Sequence, residues 1–468
     1  MTAIRTDIPA RLDRLPWSPW HWRVVIALGV SWLLDGLEVT VVGSLGPALQ
    51  RPDTLGLSAG QIGWAASAYI AGAVLGALYF GRLADKLGRK RMFLVTLVVY
   101  LIATVLTAFT WDIASFAFCR FLTGFGIGGE YAAINSAIDE LIPARVRGRV
   151  DLAINGTFWI GAAMGAGLSI VLLNPGFIGA EWGWRIAFGL GGILAFAILL
   201  VRRHVPESPR WLLMHGRAEE AEAVVRSIED EVGVSHPVAG SLALRPLRSI
   251  PWGQVFHVLT VRHRARAVFG LTLMASQAFF YNAIFFTYAL VLARFYGVAD
   301  DRVGYYIFPF AIGNFLGPLL LGHLFDTVGR RFMIAATYAL AGIGLLVTGY
   351  AFQQEWLTAT TQAIAWSAIF FVASAAASAA YLTVSEIFPL EMRAISISLF
   401  YAAGTALGGF VGPPLYGAMI ESGSRDALFG AYAFAAVLMI VAALVTLFLG
   451  VDAERRPLEE VCRPLGAD

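Results

Sequence analysis

The chain has 468 residues, of which 58% are hydrophobic and 14% are charged, and its mean hydropathy is +0.69. Soluble proteins are roughly a quarter charged, so too little polar surface remains here to enclose several soluble domains. These values exclude a soluble enzyme, a nucleic-acid binder and a disordered scaffold as the main interpretation. The net charge of +2 gives no overall attraction to nucleic acid, and the two cysteines, Cys119 and Cys462, exclude a disulfide framework.

The hydrophobic pattern predicts an all-α integral membrane protein with twelve transmembrane helices. A spanning helix needs about 20 mostly apolar residues. The twelve predicted spans are 21–47, 58–80, 92–110, 115–142, 150–174, 183–203, 266–293, 302–321, 332–352, 356–384, 393–420 and 427–450. Residues 1–20 are polar and contain no apolar core before a cleavage site, so we expect no secretory signal peptide.

The basic residues predict the orientation of these spans. With both termini in the cytoplasm, 28 of the 34 lysines and arginines lie on the cytoplasmic side, as the positive-inside rule requires. Arg120 lies within a span, and five arginines lie outside or at the outer interface: Arg51, Arg185, Arg294, Arg302 and Arg425. We therefore expect a multi-pass protein of the bacterial inner membrane with both termini inside.

A single long polar stretch, residues 204–265, divides the chain into three parts. Residues 1–203 are predicted to form one six-helix bundle and residues 266–468 a second one. The stretch between them is predicted to be a cytoplasmic linker with amphipathic helices, the clearest at 215–232. The fold class is thus two six-helix pseudo-repeats with a central cavity between them.

Two motifs recur in the two halves at nearly the same offset. Gly-x-x-x-Asp-x-x-Gly-Arg begins at Gly81 after the second span and again at Gly322 after the eighth, an offset of 241. Glu-x-x-Pro-x-x-x-Arg begins at Glu140 after the fourth span and again at Glu386 after the tenth, an offset of 246. Two independent motifs with matching offsets indicate that the halves are copies in the same orientation, related by an axis along the membrane normal.

The residues of these motifs suit a cytoplasmic gate. Glycine permits a tight turn, and an aspartate can accept hydrogen bonds from arginine and from a helix N-terminus. We interpret the motifs as a charge network that closes the inner side while the outer side is open; positive-inside anchors are the alternative. The predicted gate residues are Gly81, Asp85, Arg89, Glu140, Arg147, Gly322, Asp326, Arg330, Glu386 and Arg393.

On these motifs the chain resembles the major facilitator superfamily over essentially its whole length. The segment Pro206-Glu207-Ser208-Pro209-Arg210-Trp211-Leu212 after the sixth span is similar to the sugar-porter linker signature. Arg120-x-x-x-Gly124-x-Gly126-x-Gly128 in the fourth span is similar to that branch too. The resemblance implies a transporter, and it leaves the substrate open.

Four ionisable residues lie at membrane depth, where such groups are costly and commonly functional: Asp35, Glu38, Arg120 and Glu130. Position along the spans predicts two layers, a Glu38–Arg120 pair on the outer side and an Asp35–Glu130 pair near the span centres. A buried carboxyl that changes protonation while the cavity changes access would provide proton coupling. Structural ion pairing is the alternative.

The resemblance sharpens this hypothesis for two of the residues. Glu38-Val39-Thr40 followed by Gly43 looks like the segment that carries the proton-binding aspartate of sugar/proton symporters, and Arg120 matches its arginine partner. Asp35 and Glu130 depart from the sugar-porter pattern. Asp35-Gly36-Leu37-Glu38 with Gly128-Gly129-Glu130 instead resembles proton symporters of organic acids, phosphate and other metabolites.

Polar and aromatic side chains on apolar spans are the candidates for substrate binding. Amides both donate and accept hydrogen bonds, so they suit hydroxyl and carboxyl groups, and interhelical bonding is the alternative. The candidates are Asn155, Trp159, Gln277, Tyr281, Asn282, Asn314 and Tyr381. Three buried carboxylates against one arginine disfavour free anions, so the cavity suits neutral or cationic solutes, or anions carried with protons.

The sequence therefore predicts a secondary active transporter, a proton-coupled symporter of a small polar organic solute such as an organic acid, a sugar or a polyol. A solute/proton antiporter, an uncoupled facilitator and a nutrient sensor on a transporter fold are the alternatives. The chain contains no HExxH, Walker or Cys/His metal motif, so we expect no enzyme activity, catalytic residue, metal or cofactor. The expected partners are the solute, protons and the bilayer, with a monomeric protein.

Overall fold

The computed structural model describes residues 4–49, 51–57, 59–172, 178–202, 206–234, 242–244, 250–285, 288–298 and 300–465. A strand β1 (Ile4–Thr6) and a short helix α1 (Ile8–Arg14) precede the first long helix. The first half then contains α2 (Pro19–Leu49), α3 (Ala59–Leu87), α4 (Arg89–Thr107), α5 (Ile113–Leu141), α6 (Arg147–Leu172) and α7 (Ala180–Arg202). Each of these six helices corresponds to one predicted span.

The segment between the halves contains three short helices and a strand. They are α8 (Pro209–Met214), α9 (Ala218–Val232), β2 (Leu242–Leu244) and α10 (Trp252–His257), followed by a π-helical turn at Val258–Arg262. β2 pairs antiparallel with β1, with Arg5 opposite Ala243. α9 buries Ala221, Val225 and Ile228, which confirms the predicted amphipathic helix. It begins three residues later than predicted, because 215–217 form the turn after α8.

The second half repeats the pattern of the first. It contains α11 (Arg264–Phe285), α12 (Tyr288–Tyr296), α13 (Asp300–Thr327), α14 (Arg330–Gln353), α15 (Ala359–Glu386), α16 (Arg393–Glu421), α17 (Arg425–Leu449) and a short α18 (Leu458–Val461). α11 and α12 together correspond to the seventh predicted span. The described chain thus has twelve long helical segments, as the hydrophobic pattern predicts.

Eight helices of the described chain are long and apolar enough to cross a membrane: α2, α3, α4, α6, α13, α14, α15 and α17. The other four segments are α5, α7, α11 with α12, and α16. α5 has 29 residues, which span about 43 Å at 1.5 Å per residue, so its length suffices. Its buried Arg120, Glu130, Asp139 and Glu140 lower its mean hydropathy, so composition alone understates this span.

The second glycine of each repeated motif lies at a turn where the backbone has a positive φ. Gly88 and Gly329 are the N-caps of α4 and α14, with φ of 101° and 123°. Residues with a side chain rarely adopt these values, so each glycine allows a tight turn between two long helices. The two turns are equivalent positions of the repeat, and each lies beside the charged residues described below.

Glycines also set the close crossing of α2 and α6. A Cβ atom at Gly36 would overlap the carbonyl oxygen of Phe158, and one at Gly161 would overlap that of Leu33. Small residues at helix crossings let two backbones approach closely inside a membrane. This crossing fixes the face of α2 that carries Asp35 and Glu38.

We expect Gly36→Ala to lower the free energy of unfolding by about 1–3 kcal/mol, because the added methyl group overpacks the α2–α6 crossing. Thermal unfolding of the purified protein in detergent measures the effect. Gly189→Ala is the matched control, since a Cβ at this helical position meets nothing within 4 Å. Equal melting temperatures for the two variants would contradict the proposed role of this crossing.

Candidate functional site

A cavity of about 310 Å³ lies between the two halves. Its walls come from α2, α3, α5 and α6 on one side and from α11, α15 and α16 on the other. Aromatic rings make up much of the lining: Trp32, Tyr69, Tyr131, Phe158, Trp159, Tyr281, Phe285, Tyr381 and Tyr401. Asp35 and Arg120 are the ionisable residues of this lining other than tyrosines. The cavity is thus a mainly aromatic chamber with one acid and one base.

The Asp35 carboxylate is held by two tyrosines. The Tyr69 hydroxyl donates a hydrogen bond to Asp35 Oδ1 at 2.8 Å, and the Tyr131 hydroxyl donates to Oδ2. Trp32, one turn before Asp35 on α2, stacks on the Tyr131 ring with centroids 4.7 Å apart. Sequence analysis missed both tyrosines. The spacing of eleven residues between Arg120 and Tyr131, which is three helical turns, was an available signal that both face the cavity.

Glu38 and Arg120 form a buried ion pair, with side chains 3% exposed each. Thr104 on α4 lies 3.4 Å from Glu38 Oε2, on the side away from the cavity. The Arg120 guanidinium also lies over the Tyr69 ring, 4.7 Å from its centroid. Arg120 therefore contacts both Glu38 and the tyrosine that binds Asp35. Glu38 and Asp35 are thus linked through one basic residue.

Glu130 lies near enough to Asp35 to interact with it electrostatically, but it is outside the cavity wall. It is buried, and it is not among the residues that line the cavity. The α5 residue that donates to Asp35 is its neighbour Tyr131. Consecutive residues of a helix point about 100° apart, so Glu130 and Tyr131 cannot both face α2 across the cavity.

Five of the seven predicted substrate residues line the cavity: Asn155, Trp159, Gln277, Tyr281 and Tyr381. Asn314 lies behind this lining, where its Oδ1 accepts a hydrogen bond from the Tyr281 hydroxyl at 2.8 Å. Asn314 thus orients a cavity residue. The side chain of Asn282 falls outside the described part of the structure.

Four aromatic residues form a cluster at one end of the cavity. Tyr131 meets Tyr401 with centroids 4.6 Å apart, and Trp32 meets Tyr381 edge-on at 5.5 Å. Trp32 and Tyr131 come from the first half, Tyr381 and Tyr401 from the second. We call these four residues the aromatic cluster. It brings ring faces and hydroxyl groups of both halves to the same place as the Asp35 carboxylate.

The repeated motifs meet at the end of the bundle that carries the linker and both termini, which we call the linker face. Asp85 Oδ2 accepts a hydrogen bond from the Ile395 N–H at 3.0 Å, in the first turn of α16. Asp326 accepts from the N–H groups of Gly148 at 3.1 Å and Arg149 at 2.8 Å, in the first turn of α6. Each aspartate therefore binds the N-terminus of a helix in the opposite half, where the helix dipole favours an anion.

Arginines and glutamates of the second motif complete this network. Within the halves, Arg89 pairs with Glu140 at 3.0 Å and Arg330 with Glu386 at 2.5 Å. Across the halves, Arg147 Nη1 lies 3.5 Å from Glu386, and Arg393 Nη1 lies 3.8 Å from Glu140. We call the two aspartate contacts and these ion pairs the latch. Eight of the ten predicted gate residues lie in the latch, which joins the two halves at the linker face. The other two, Gly81 and Gly322, lie within α3 and α13, where an added Cβ atom would meet Ser398 and Arg149 of the opposite half.

The linker and both termini bind to the latch. Arg210 on α8 pairs with Glu459 on α18 at 2.9 Å and with Asp13 on α1 at 3.1 Å. The Arg89 N–H donates to Glu207 Oε1 at 3.0 Å. Burial raises the pKa of the Glu207 carboxyl above its ordinary value, and hydrogen bonds from the backbone N–H groups of Ser208, Lys90 and Arg89 oppose that rise. Sequence analysis did not place Asp13 or Glu459 at the gate.

The cavity between two six-helix halves and the latch at one face are the features of a polytopic membrane transporter. The sugar (and other) transporter family matches residues 36–464, and the chain belongs to that family of the major facilitator superfamily. The predicted superfamily and its twelve-helix membrane fold are thereby confirmed. A small-molecule solute and a membrane location follow from membership.

Solved structures and sequence relatives agree with this assignment. The proton:xylose symporter XylE bound to 6-bromo-6-deoxy-D-glucose superposes with a TM-score of 0.77 at 20% identity, covering 94% of this chain and 98% of XylE. The niacin transporter NiaP of Acinetobacter baylyi is 26% identical over 97% of this chain and 99% of its own. The 4-hydroxybenzoate transporter PcaK of Pseudomonas aeruginosa is 26% identical over 88% of this chain and 90% of its own.

Proposed function

We propose that this protein is a proton-coupled symporter of a small polar organic solute, and that the solute is an aromatic carboxylic acid. The observation that carries the proposal is the Asp35 carboxylate held between Tyr69 and Tyr131 beside the Glu38–Arg120 ion pair, inside an aromatic cavity. Buried carboxyls near one arginine are groups that can exchange protons with a solute.

The aromatic lining favours a flat ring over a sugar. Aromatic side chains bind planar rings through stacked and edge-on contacts, whereas a sugar needs many directed hydrogen bonds. Gln277, Asn155 and the tyrosine hydroxyls supply a few polar groups that would orient one carboxyl or hydroxyl group. The names of two relatives, a niacin and a 4-hydroxybenzoate transporter, fit the same chemistry.

The charge of the cavity favours entry of the acid together with a proton. Asp35 in the cavity wall and Glu38 behind it are buried beside a single arginine, Arg120, so an added carboxylate needs a compensating positive charge. A proton bound in the same cycle supplies it. By the positive-inside rule we expect the linker face on the cytoplasmic side of a bacterial inner membrane. While the latch is closed, the solute would therefore enter the cavity from the external side.

A transport assay with purified protein in liposomes tests this function. An inward proton gradient should drive accumulation of nicotinate or 4-hydroxybenzoate, and collapse of the gradient should stop it. Protein-free liposomes control for diffusion of the neutral acids through lipid. Accumulation that is equal without the gradient would contradict proton coupling, and accumulation driven by an acidic interior would indicate an antiporter.

Ligand-dependent melting separates the substrate class from the coupling. A bound solute stabilises the folded protein by RT ln(1 + [L]/Kd), so the melting temperature rises with the logarithm of the solute concentration above Kd. We expect aromatic acids to raise the melting temperature, more strongly below neutral pH, and xylose and myo-inositol to leave it unchanged. Stabilisation by the sugars alone would reject the aromatic substrate and retain the transporter.

A further inference from the structure

Asp151 is a buried carboxyl that belongs neither to the cavity lining nor to the latch. It lies in the second turn of α6 and is 0% exposed. Asn155, one turn further along the same helix, donates a hydrogen bond to Asp151 Oδ2 at 2.9 Å. Because Asn155 lines the cavity, Asp151 lies one helical turn from the cavity, in the direction of the linker face.

The surroundings of Asp151 contain more acid than base. Asp139 on α5, Glu386 on α15 and Arg330 on α14 face it. Arg330 is already bound by Asp326 at 3.1 Å and by Glu386 at 2.5 Å. Among the described residues, Asp151 Oδ1 accepts no hydrogen bond. A charged carboxylate is costly in such a setting, because it is buried and lacks a full set of partners.

One contact of the latch lies directly beside this group. Asp326 of the second half binds the N–H groups of Gly148 and Arg149, two and three residues before Asp151 on the same helix. While that contact holds, the first turn of α6 stays packed against the second half. Loss of this contact would free the start of α6, next to Asp151, from the second half.

We propose that Asp151 is a second proton-carrying residue of the transport cycle, which releases its proton to the linker face when the latch opens. This proposal rests on the proposed proton symport. In the open state the acid gives its proton to entering water, and Arg330 stabilises the carboxylate. In the closed state the carboxylate takes a proton that comes from the cavity, and the neutral acid forms again.

The test follows proton and solute movement separately in liposomes. Wild type, Asp151→Asn and Asp53→Asn are compared with a pH-sensitive dye sealed inside and 4-hydroxybenzoate added outside. Asparagine keeps an acceptor for Asn155 but cannot release a proton. We expect Asp151→Asn to lower proton entry at least about tenfold, the scale of a lost proton-transfer group, and to leave solute exchange close to wild type. Asp53, an exposed residue paired with Arg51, is the control, and its variant should behave as wild type.

The remaining outcomes either overturn the proposal or support it, each for a stated reason. Normal proton entry in Asp151→Asn would show that the group carries no proton, and the proposed symport would stand. Loss of exchange together with proton entry, in both Asp151→Asn and Asp151→Glu, would show a structural role. Retained proton entry in Asp151→Glu supports the proposal, because glutamate keeps the carboxyl. If wild type moves no protons, or moves sodium ions instead, both the proposed symport and the role of Asp151 fail.

Discussion

Replacing Glu38 with glutamine should abolish proton-driven accumulation while solute exchange continues. Glutamine keeps the size of the side chain and an acceptor for Arg120, but it cannot bind and release a proton in the ordinary pH range. In a one-proton symporter each pH unit of gradient is worth about 1.4 kcal/mol, or about tenfold accumulation. We therefore expect the accumulation ratio of Glu38→Gln to fall to unity.

The measurement compares uptake under a proton gradient with exchange at equal pH, on the same liposomes. Glu355→Gln is the matched control, because Glu355 has the same chemistry but its side chain is 72% exposed and pairs with Arg425. Wild-type accumulation by Glu38→Gln would exclude Glu38 as the coupling residue and leave Asp35 as the candidate. Loss of exchange as well would indicate that the ion pair holds the fold rather than the proton.

The sequence was sufficient to predict features that depend on periodicity and local chemistry. Hydrophobic runs identify the helices, because twenty apolar residues have few stable alternatives to a spanning helix. The repeat at an offset of 241 identifies Asp85 and Asp326 as equivalent residues, and the structure shows the same contact for both, an aspartate at the N-terminus of a helix in the opposite half. This contact could be predicted from the sequence, because an aspartate is favoured at the positive end of a helix dipole.

Features that depend on rotation about a helix axis were not predicted. Position along α5 places Glu130 at the depth of Asp35, but depth does not say which residue faces α2. Tyr131 does so, and the hydroxyl of a tyrosine carries no charge that would make it conspicuous in an apolar span. The Glu38–Arg120 contact was easier to predict, because two opposite charges in a membrane strongly favour pairing.

Contacts between polar segments that are distant in the chain could not be predicted from the sequence either. Arg210 binds Asp13 and Glu459, which are 197 and 249 residues away in the chain. The linker signature suggests that Arg210 matters, but it does not identify partners in terminal segments with no repeat. These contacts tie α1, α8 and α18 to the latch, so the terminal segments must move or release when the linker face opens.

Replacing both Asp85 and Asp326 with asparagine should open the linker face. Hydrogen bonds to a charged group contribute about 1.5–3 kcal/mol each, and asparagine removes the charge that favours a helix N-terminus. Loss of both contacts therefore shifts the equilibrium toward the open state by about 3–6 kcal/mol, roughly a hundredfold to ten-thousandfold in population. We expect transport to slow, since the closed state that loads solute is depleted.

Labelling of a buried cysteine reports the opening directly. Ala394 lies beside the Asp85 contact and is 0% exposed. It is replaced with cysteine in a variant that lacks Cys119 and Cys462, and the rate at which the new thiol reacts with a maleimide is measured. Asp452→Asn, at an exposed aspartate in the segment between α17 and α18, is the control and should leave the rate unchanged. An unchanged rate in the double variant would contradict the latch.

The single variants decide how the two halves of the latch cooperate. Asp85 and Asp326 bind different helices, α16 and α6, and neither contact uses an atom of the other. If the contacts act independently, the free-energy shifts of Asp85→Asn and Asp326→Asn add to that of the double variant. If instead each contact forms only while the other is present, either loss alone gives nearly the whole effect. We expect additivity, because the Arg147–Glu386 and Arg393 ion pairs still join the halves after one aspartate contact is lost.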